Sequence, residues 1–216
     1  GHADVAVGSP FHTPEVSLYQ QGAVSVFMGP TLEQELPLPA SAALKGLGWA
    51  VAAGDLSGDG LADLVLSSTG SGKVLVFFGA AEFRPALDKP DLCLVSAAAG
   101  FGKSLAIGPD LHGDGARELL IGAPNNRVRG QRDTGSVFVV SVRAASEPLD
   151  LDADPAPAQR LARVDGLALF SRFGAALAAL RDRDGDGVGE VAVGAPLADH
   201  KAKDMVGKLF VFSGKA

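Results

Sequence analysis

An all-β fold built from repeated units is predicted by three features of the sequence. The strongly apolar runs are short, glycine and proline are frequent at 28 and 13 of 216 residues, and one motif recurs along the chain. Short strands joined by tight turns account for the first two features, and a series of similar units for the third. The composition, 47% hydrophobic and 20% charged, is that of a globular chain able to bury a sizeable core. No apolar run approaches the roughly 18 residues of a membrane helix, so membrane insertion is not expected, and no basic-then-apolar leader opens the chain.

Three full copies of the motif align: "LGWAVAAGDLSGDGLADLVLSS" from Leu47, "FGKSLAIGPDLHGDGARELLIGAP" from Phe101 and "FGAALAALRDRDGDGVGEVAVGAP" from Phe173. Each joins a Phe/Leu-Gly opening to an apolar strand, an acidic turn, a second strand, and Gly-Ala-Pro or a remnant of it. A further strand follows every time, as "GAVSVFMG" from Gly22, "GKVLVFFG" from Gly72, "GSVFVVS" from Gly135 and "GKLFVFSG" from Gly207. The last acid of each turn falls at Asp4, Asp63, Glu118 and Glu190, at intervals of 59, 55 and 72 residues. Units of this length with several strands each are propeller blades. The segments "DLCLVSAA" and "QRLARVD" supply fourth, outer strands, and near-continuous apolar runs predict strands packed on both faces. The predicted fold is a partial β-propeller of about three and a half four-stranded blades, in units of approximately 1–46, 47–100, 101–172 and 173–216.

The first residues, "GHADVAVGSP", superimpose on "GVGEVAVGAP" at 187–196, so Gly1 takes the sixth position of a turn. The expectation is a fragment, with the remaining blades of the same chain lying upstream and the downstream side left open.

The acidic turns carry the chemistry. With Asp182 as position one, the third turn presents Asp182, Asp184 and Asp186 at alternate positions, glycine at six, the Val188 carbonyl at seven and Glu190 at nine. Alternate carboxylates in a curled loop converge, which suits a hard cation with about six to eight oxygen ligands at about 2.3 to 2.6 Å. Without a cation such carboxylates repel and raise one another's pKa. The first turn offers Asp55, Ser57, Asp59, the Leu61 carbonyl and Asp63; the second offers Asp110, His112, Asp114, the Ala116 carbonyl and Glu118. Asp4 is the matching acid of the incomplete first copy. The acids of these turns outnumber the net charge of -6, so the acidity is assigned to sites. An EF-hand places its last ligand at twelve between helices, and that spacing is absent.

The Phe-Gly opening, the Asp-x-Asp-x-Asp-Gly-x-x-Asp/Glu turn and the Gly-Ala-Pro ending resemble the FG-GAP repeats of integrin α-subunit propellers. The resemblance covers nearly the whole chain and implies calcium (Ca2+) in the turns. "LGWAVAAGDLSGDGLADLVL" and "LFSRFGAALAALRDRDGDGVGEVAVGAPL" are similar to the C-terminal propeller of the glycosylphosphatidylinositol-specific phospholipase D family. That resemblance implies a secreted, extracellular parent acting on GPI-anchored proteins, with zinc (Zn2+) and the catalytic residues in a domain absent from this segment. The alternative is an integrin α-like adhesion receptor or other calcium-dependent extracellular module with a protein ligand. The phospholipase is the first preference on these words. His112 departs from the pattern of oxygen donors, and Ser67-Ser68 replaces Gly-Ala-Pro in the first full copy.

The remaining signals exclude other functions. "AAAGFGKS" at 97–104 nearly matches a phosphate-binding loop, but Ala97 stands where the first glycine is needed and a strand is expected after it. His2, His12, His112 and His200 lack metal-type spacing, and no nucleophile elbow occurs. The single cysteine, Cys93, sits in "LCLV" as a buried apolar thiol. Trp49 and the strand phenylalanines read as core between blades. A pI of about 5.1 argues against nucleic acid as a partner.

Overall fold

A computed structural model of the chain describes residues 4–13, 20–29, 31–38, 41–142, 147–199 and 205–214. Apolar, β-branched runs bounded by glycine turns become the central strands of the sheets, and no α-helix occurs among the described residues. Among the described residues no helix is long and apolar enough to cross a membrane.

The first sheet orders β1 (Val5–Ser9), β2 (Ala23–Met28) and β3 (Gln34–Leu38). The second runs from β4 (Leu47–Gly54) through β5 (Asp63–Ser68) and β6 (Lys73–Phe77) to β7 (Leu92–Val95), with β11 (Leu149–Asp150) added outside β7. In the third, β8 (Ser104–Ile107), β9 (Glu118–Ala123), β10 (Ser136–Ser141) and β12 (Arg160–Asp165) lie side by side. The fourth holds β13 (Ala176–Ala179), β14 (Val191–Ala195) and β15 (Lys208–Phe212). All pairings are antiparallel except β11 with β7, where Leu149 faces Leu94 in a parallel register. This is the partial β-propeller that the repeats predict. The expected outer strands are β7 and β12; β3 and β11 are additions that the sequence did not reveal.

Side-chain alternation fixes how the sheets stack. On β5, Leu64 and Leu66 point to the first sheet, where they meet Val24, Val26 and Leu38, whereas Val65 points to the third. On β9, Leu119 and Ile121 join the second sheet's Val74 and Leu94, whereas Leu120 joins Val191 and Val193 of the fourth. Period-two alternation thus serves two cores at once, and every residue of β5 and β9 is buried. A buried edge-to-face pair, Phe101 with Phe138, closes the core between the second and third sheets at 5.4 Å between ring centroids.

The packing explains the recurring glycines. A Cβ on Gly122, in the Gly-Ala-Pro of the third sheet, would strike the Gly174 carbonyl of the next Phe-Gly, and one on Gly8 would strike the Gly48 carbonyl. The two glycine words of the motif are the two sides of one backbone contact between successive sheets. In the second sheet Ser67 takes the place of such a glycine and its Cβ lies against Gly102.

Two expectations need correction. Trp49 is not core: it is 41% exposed, stacked edge-on with the exposed Phe11 and lying under Lys103. Alternation on β4 turns it away from the sheet stack. The continuous apolar runs of β13 and β15 are not buried on both faces, and Leu209 is 70% exposed, because no described sheet covers that side. Cys93 is half-buried, and desolvation raises its thiol pKa against the lowering influence of Lys73. The Gly-Phe-Gly-Lys-Ser stretch leads into strand β8 rather than a helix, as the repeat alignment requires.

Candidate metal centres

The antiparallel order brings the links β4–β5, β8–β9 and β13–β14 to the same end of the propeller, and these links are the three acidic turns. They share one internal scaffold. The acid at position one accepts backbone N–H bonds from positions four and six: Asp55 from Gly58 (2.7 Å) and Gly60 (2.9 Å), Asp110 from Gly113 (2.6 Å) and Gly115 (2.8 Å), Asp182 from Gly185 (2.7 Å) and Gly187 (3.0 Å). The acid at position five closes a second small ring, with Asp59, Asp114 and Asp186 each accepting the N–H of Leu61, Ala116 and Val188. Glycines at four and six all have φ between 78° and 88°. Open space surrounds most of them, so left-handed backbone is what demands glycine there. Position four was not singled out in the sequence, although Gly58, Gly113 and Gly185 repeat there.

The acid at position nine stands at or just before the start of the following strand, and in the three full turns it reaches back to the start of its turn. Asp63, 1% exposed, takes Leu56 N–H (2.7 Å) and Ser57 N–H (3.0 Å) on one oxygen and Gly79 N–H (2.8 Å) on the other. Asp4 repeats the last contact with Gly29 N–H at 2.7 Å. Glu118 accepts Leu111 N–H at 2.5 Å, and its other oxygen lies 2.9 Å from His112 Nδ1. Glu190 accepts Arg183 N–H at 2.9 Å through Oε1. Its Oε2 is buried and has no hydrogen-bond partner.

Two of the turns gather their side chains. Asp110, His112, Asp114 and Glu118 place ligand atoms within 4.8 Å of one another, as do Asp182, Asp184 and Glu190. Asp186 stands outside the second of these groups, and Asp55, Asp59 and Asp63 form no such group among the described residues. His112, named in the sequence as the departure from oxygen donors in the second turn, is brought to the carboxylates by the curl of the turn. Its hydrogen bond to Glu118 raises its pKa; desolvation opposes this, and the charges of Asp114, Glu118 and Asp110 add to the rise. Asp110 is pushed up by desolvation, but bonds from Gly115, Gly113 and Asp114 N–H and the nearby His112 outweigh this and hold it below the usual carboxylate value. His12 is exposed, and His2 and His200 fall outside the described residues.

The donor set fits a hard divalent cation best in the third turn. A carboxylate oxygen that is buried and unpartnered is rare in a folded protein, and the Glu190 carboxylate that carries it offers an oxygen within 4.8 Å of oxygens of Asp182 and Asp184. Asp182, Asp184 and Glu190 would hold the ion.

Comparison with known proteins follows the same lines. Residues 47–77 match the FG-GAP repeat family. The chain is 32% identical to integrin alpha-V of Gallus gallus over 184 residues, 82% of this chain and 16% of that protein. It is 30% identical to integrin alpha-PS2 of Drosophila melanogaster over 181 residues, 78% of this chain and 12% of that protein. Integrin alpha-IIb of Homo sapiens is 35% identical over 119 residues, 55% of this chain and 11% of that protein. The chain therefore spans less than a fifth of the length of these relatives. The match of residues 47–77 to the FG-GAP repeat family and the likeness to integrin α chains across most of the sequence support the integrin-type FG-GAP family.

Proposed function

We propose that this chain is a segment of an extracellular, integrin α-like binding propeller whose acidic turns are stabilised by calcium. The observation that carries the calcium reading is the buried, unpartnered Oε2 of Glu190, whose carboxylate is gathered with those of Asp182 and Asp184. A bound calcium ion supplies positive charge to oxygen donors that otherwise repel one another. Asp182 and Asp186 shape the turn through their backbone bonds, and Glu190 ties the turn to the buried end of β14. Ion binding at this point is coupled to the packing of the third and fourth sheets. The Val188, Leu61 and Ala116 carbonyls and Ser57 complete the proposed donor sets, the first turn ranking after the third and the second turn last. Units 1–46, 47–100, 101–172 and 173–216 are the proposed blades.

The adhesion-type module is preferred over the phospholipase parent because the similar proteins named above are integrin α chains. Extracellular location and a protein ligand follow from that reading. Melting the chain in calcium and in chelator tests the calcium part: a higher melting temperature in calcium supports it, and coincident curves reject it.

A further inference from the structure

The antiparallel order that gathers the acidic turns at one end puts the links β9–β10 and β12–β13 at the other. Those two links are zipped together: Phe170 N–H donates to the Arg132 carbonyl at 3.0 Å, Arg172 N–H to Asp133 at 2.9 Å and Phe173 N–H to Thr134 at 3.1 Å. On this joined pair stand Arg127, Arg129, Arg132 and Arg172, all exposed. The ion pairs that involve an arginine among the described residues belong to Arg163, and none of these four has a side-chain partner among the described residues. The acid of the first link, Asp133, accepts from Asn125 Nδ2 at 3.2 Å, and Asn125 in turn accepts from Lys103. The arginine charge is left uncompensated in a chain whose net charge is -6.

Two further features belong to the same place. Leu167 is 87% exposed and Phe170 46% exposed, so large apolar side chains stand among the arginines. Six described non-glycine residues have positive φ, and four of them, Arg129, Asp133, Phe170 and Arg172, lie in these two links. Backbone held in that region is costly for ordinary residues and concentrates where a surface is shaped for a task.

We infer that this end of the propeller docks an acidic, partly apolar segment of a protein partner, with Arg127, Arg129, Arg132 and Arg172 receiving carboxylates around Leu167 and Phe170. The inference rests on the binding-module reading and not on the cation turns. Guanidinium groups present a planar fork that matches carboxylates in pairs, and arginine beside exposed aromatic and aliphatic side chains is the composition of protein interfaces. A sulfated polysaccharide would use the charge and leave Leu167 and Phe170 in water, which favours the protein partner.

The test uses the chain in calcium with three fluorescent probes: a short peptide alternating glutamate and leucine, an all-glutamate peptide of equal charge, and a heparin oligosaccharide. The glutamate–leucine peptide binds tightest. Combined Arg132→Glu and Arg172→Glu weakens it by roughly tenfold or more, and Leu167→Ser weakens it while leaving the all-glutamate peptide unchanged. All substituted side chains are exposed, and an unchanged melting temperature verifies the fold. Absent peptide binding, binding indifferent to the charge reversal, or heparin bound more tightly than the peptides would overturn the proposal. Calcium-dependent melting without peptide binding rejects this surface alone; peptide binding without calcium-dependent melting rejects the cation turns alone.

Discussion

The second and third acidic turns share a backbone and differ in what meets their buried glutamate. In the second, Glu118 is bonded on both oxygens, to Leu111 N–H and to the imidazole of His112. In the third, Arg183 N–H bonds Glu190 as Leu111 N–H bonds Glu118, but Asp184 stands where His112 does, and Glu190 Oε2 is left buried without a partner. An imidazole does for the second turn part of what a cation would do for the third. Equal folding of the turn therefore does not mean equal demand for an ion. That demand is set by which carboxylate oxygens the protein leaves unsatisfied.

The largest expected effect is a reversal of sign. In chelator, Glu190→Gln removes an uncompensated buried charge and keeps the acceptor for Arg183 N–H, so the chain should gain stability, by about 1–3 kcal/mol. Glu118→Gln removes the charge that His112 bonds and should lose stability by a similar amount, about 1–3 kcal/mol. Denaturant melts of both variants read this directly, and shifts of the same sign would erase the distinction between the turns.

Exchanging the imidazole comes next. His112→Asp gives the second turn the donor type of the third and should raise its calcium affinity by about tenfold, as measured by calorimetric titration. Affinity no tighter than the parent's would show that His112 is not what weakens that turn. Within the oxygen-only turns, Asp184→Ala should remove more of the calcium-dependent rise in melting temperature than Ser57→Ala, because it deletes a charged donor from a gathered group. Equal losses would break the proposed ranking.

The smallest effect is a pH dependence peculiar to the second turn. The folded pKa of His112 is raised above its ordinary 6.5, first by the bond to Glu118. In chelator its contribution is fully present below that ordinary value and fades as pH rises through the raised folded value. Asp110, lowered in the folded state despite desolvation, contributes above its ordinary 3.8 and loses that contribution as pH falls through the folded value. NMR titration of the imidazole should give a midpoint above 6.5, and Glu118→Gln should bring it back down.

Much of this architecture is legible in the sequence because the constraints are local and repeated. Glycine–glycine contacts between sheets, such as Gly122 with Gly174, repeat the same words at two of the three junctions, and the acidic turns repeat the same residues at positions one, four, five and six. What was not legible depends on long-range pairing. Strand β11 joins the second sheet from within the third repeat, and β3 contains Pro37, which hides an outer strand. Trp49 looks like core by composition, but its direction on β4 is a matter of register. Among the site residues, turn chemistry named the candidates, whereas only geometry separates Asp63, bonded to three backbone N–H groups, from Glu190.

Calcium titration of the parent chain and of Glu190→Gln by calorimetry addresses the central claim most directly. The account predicts that the tightest binding event of the parent is lost in Glu190→Gln while weaker events persist. An unchanged titration in the variant, or no calcium binding by the parent, would contradict it.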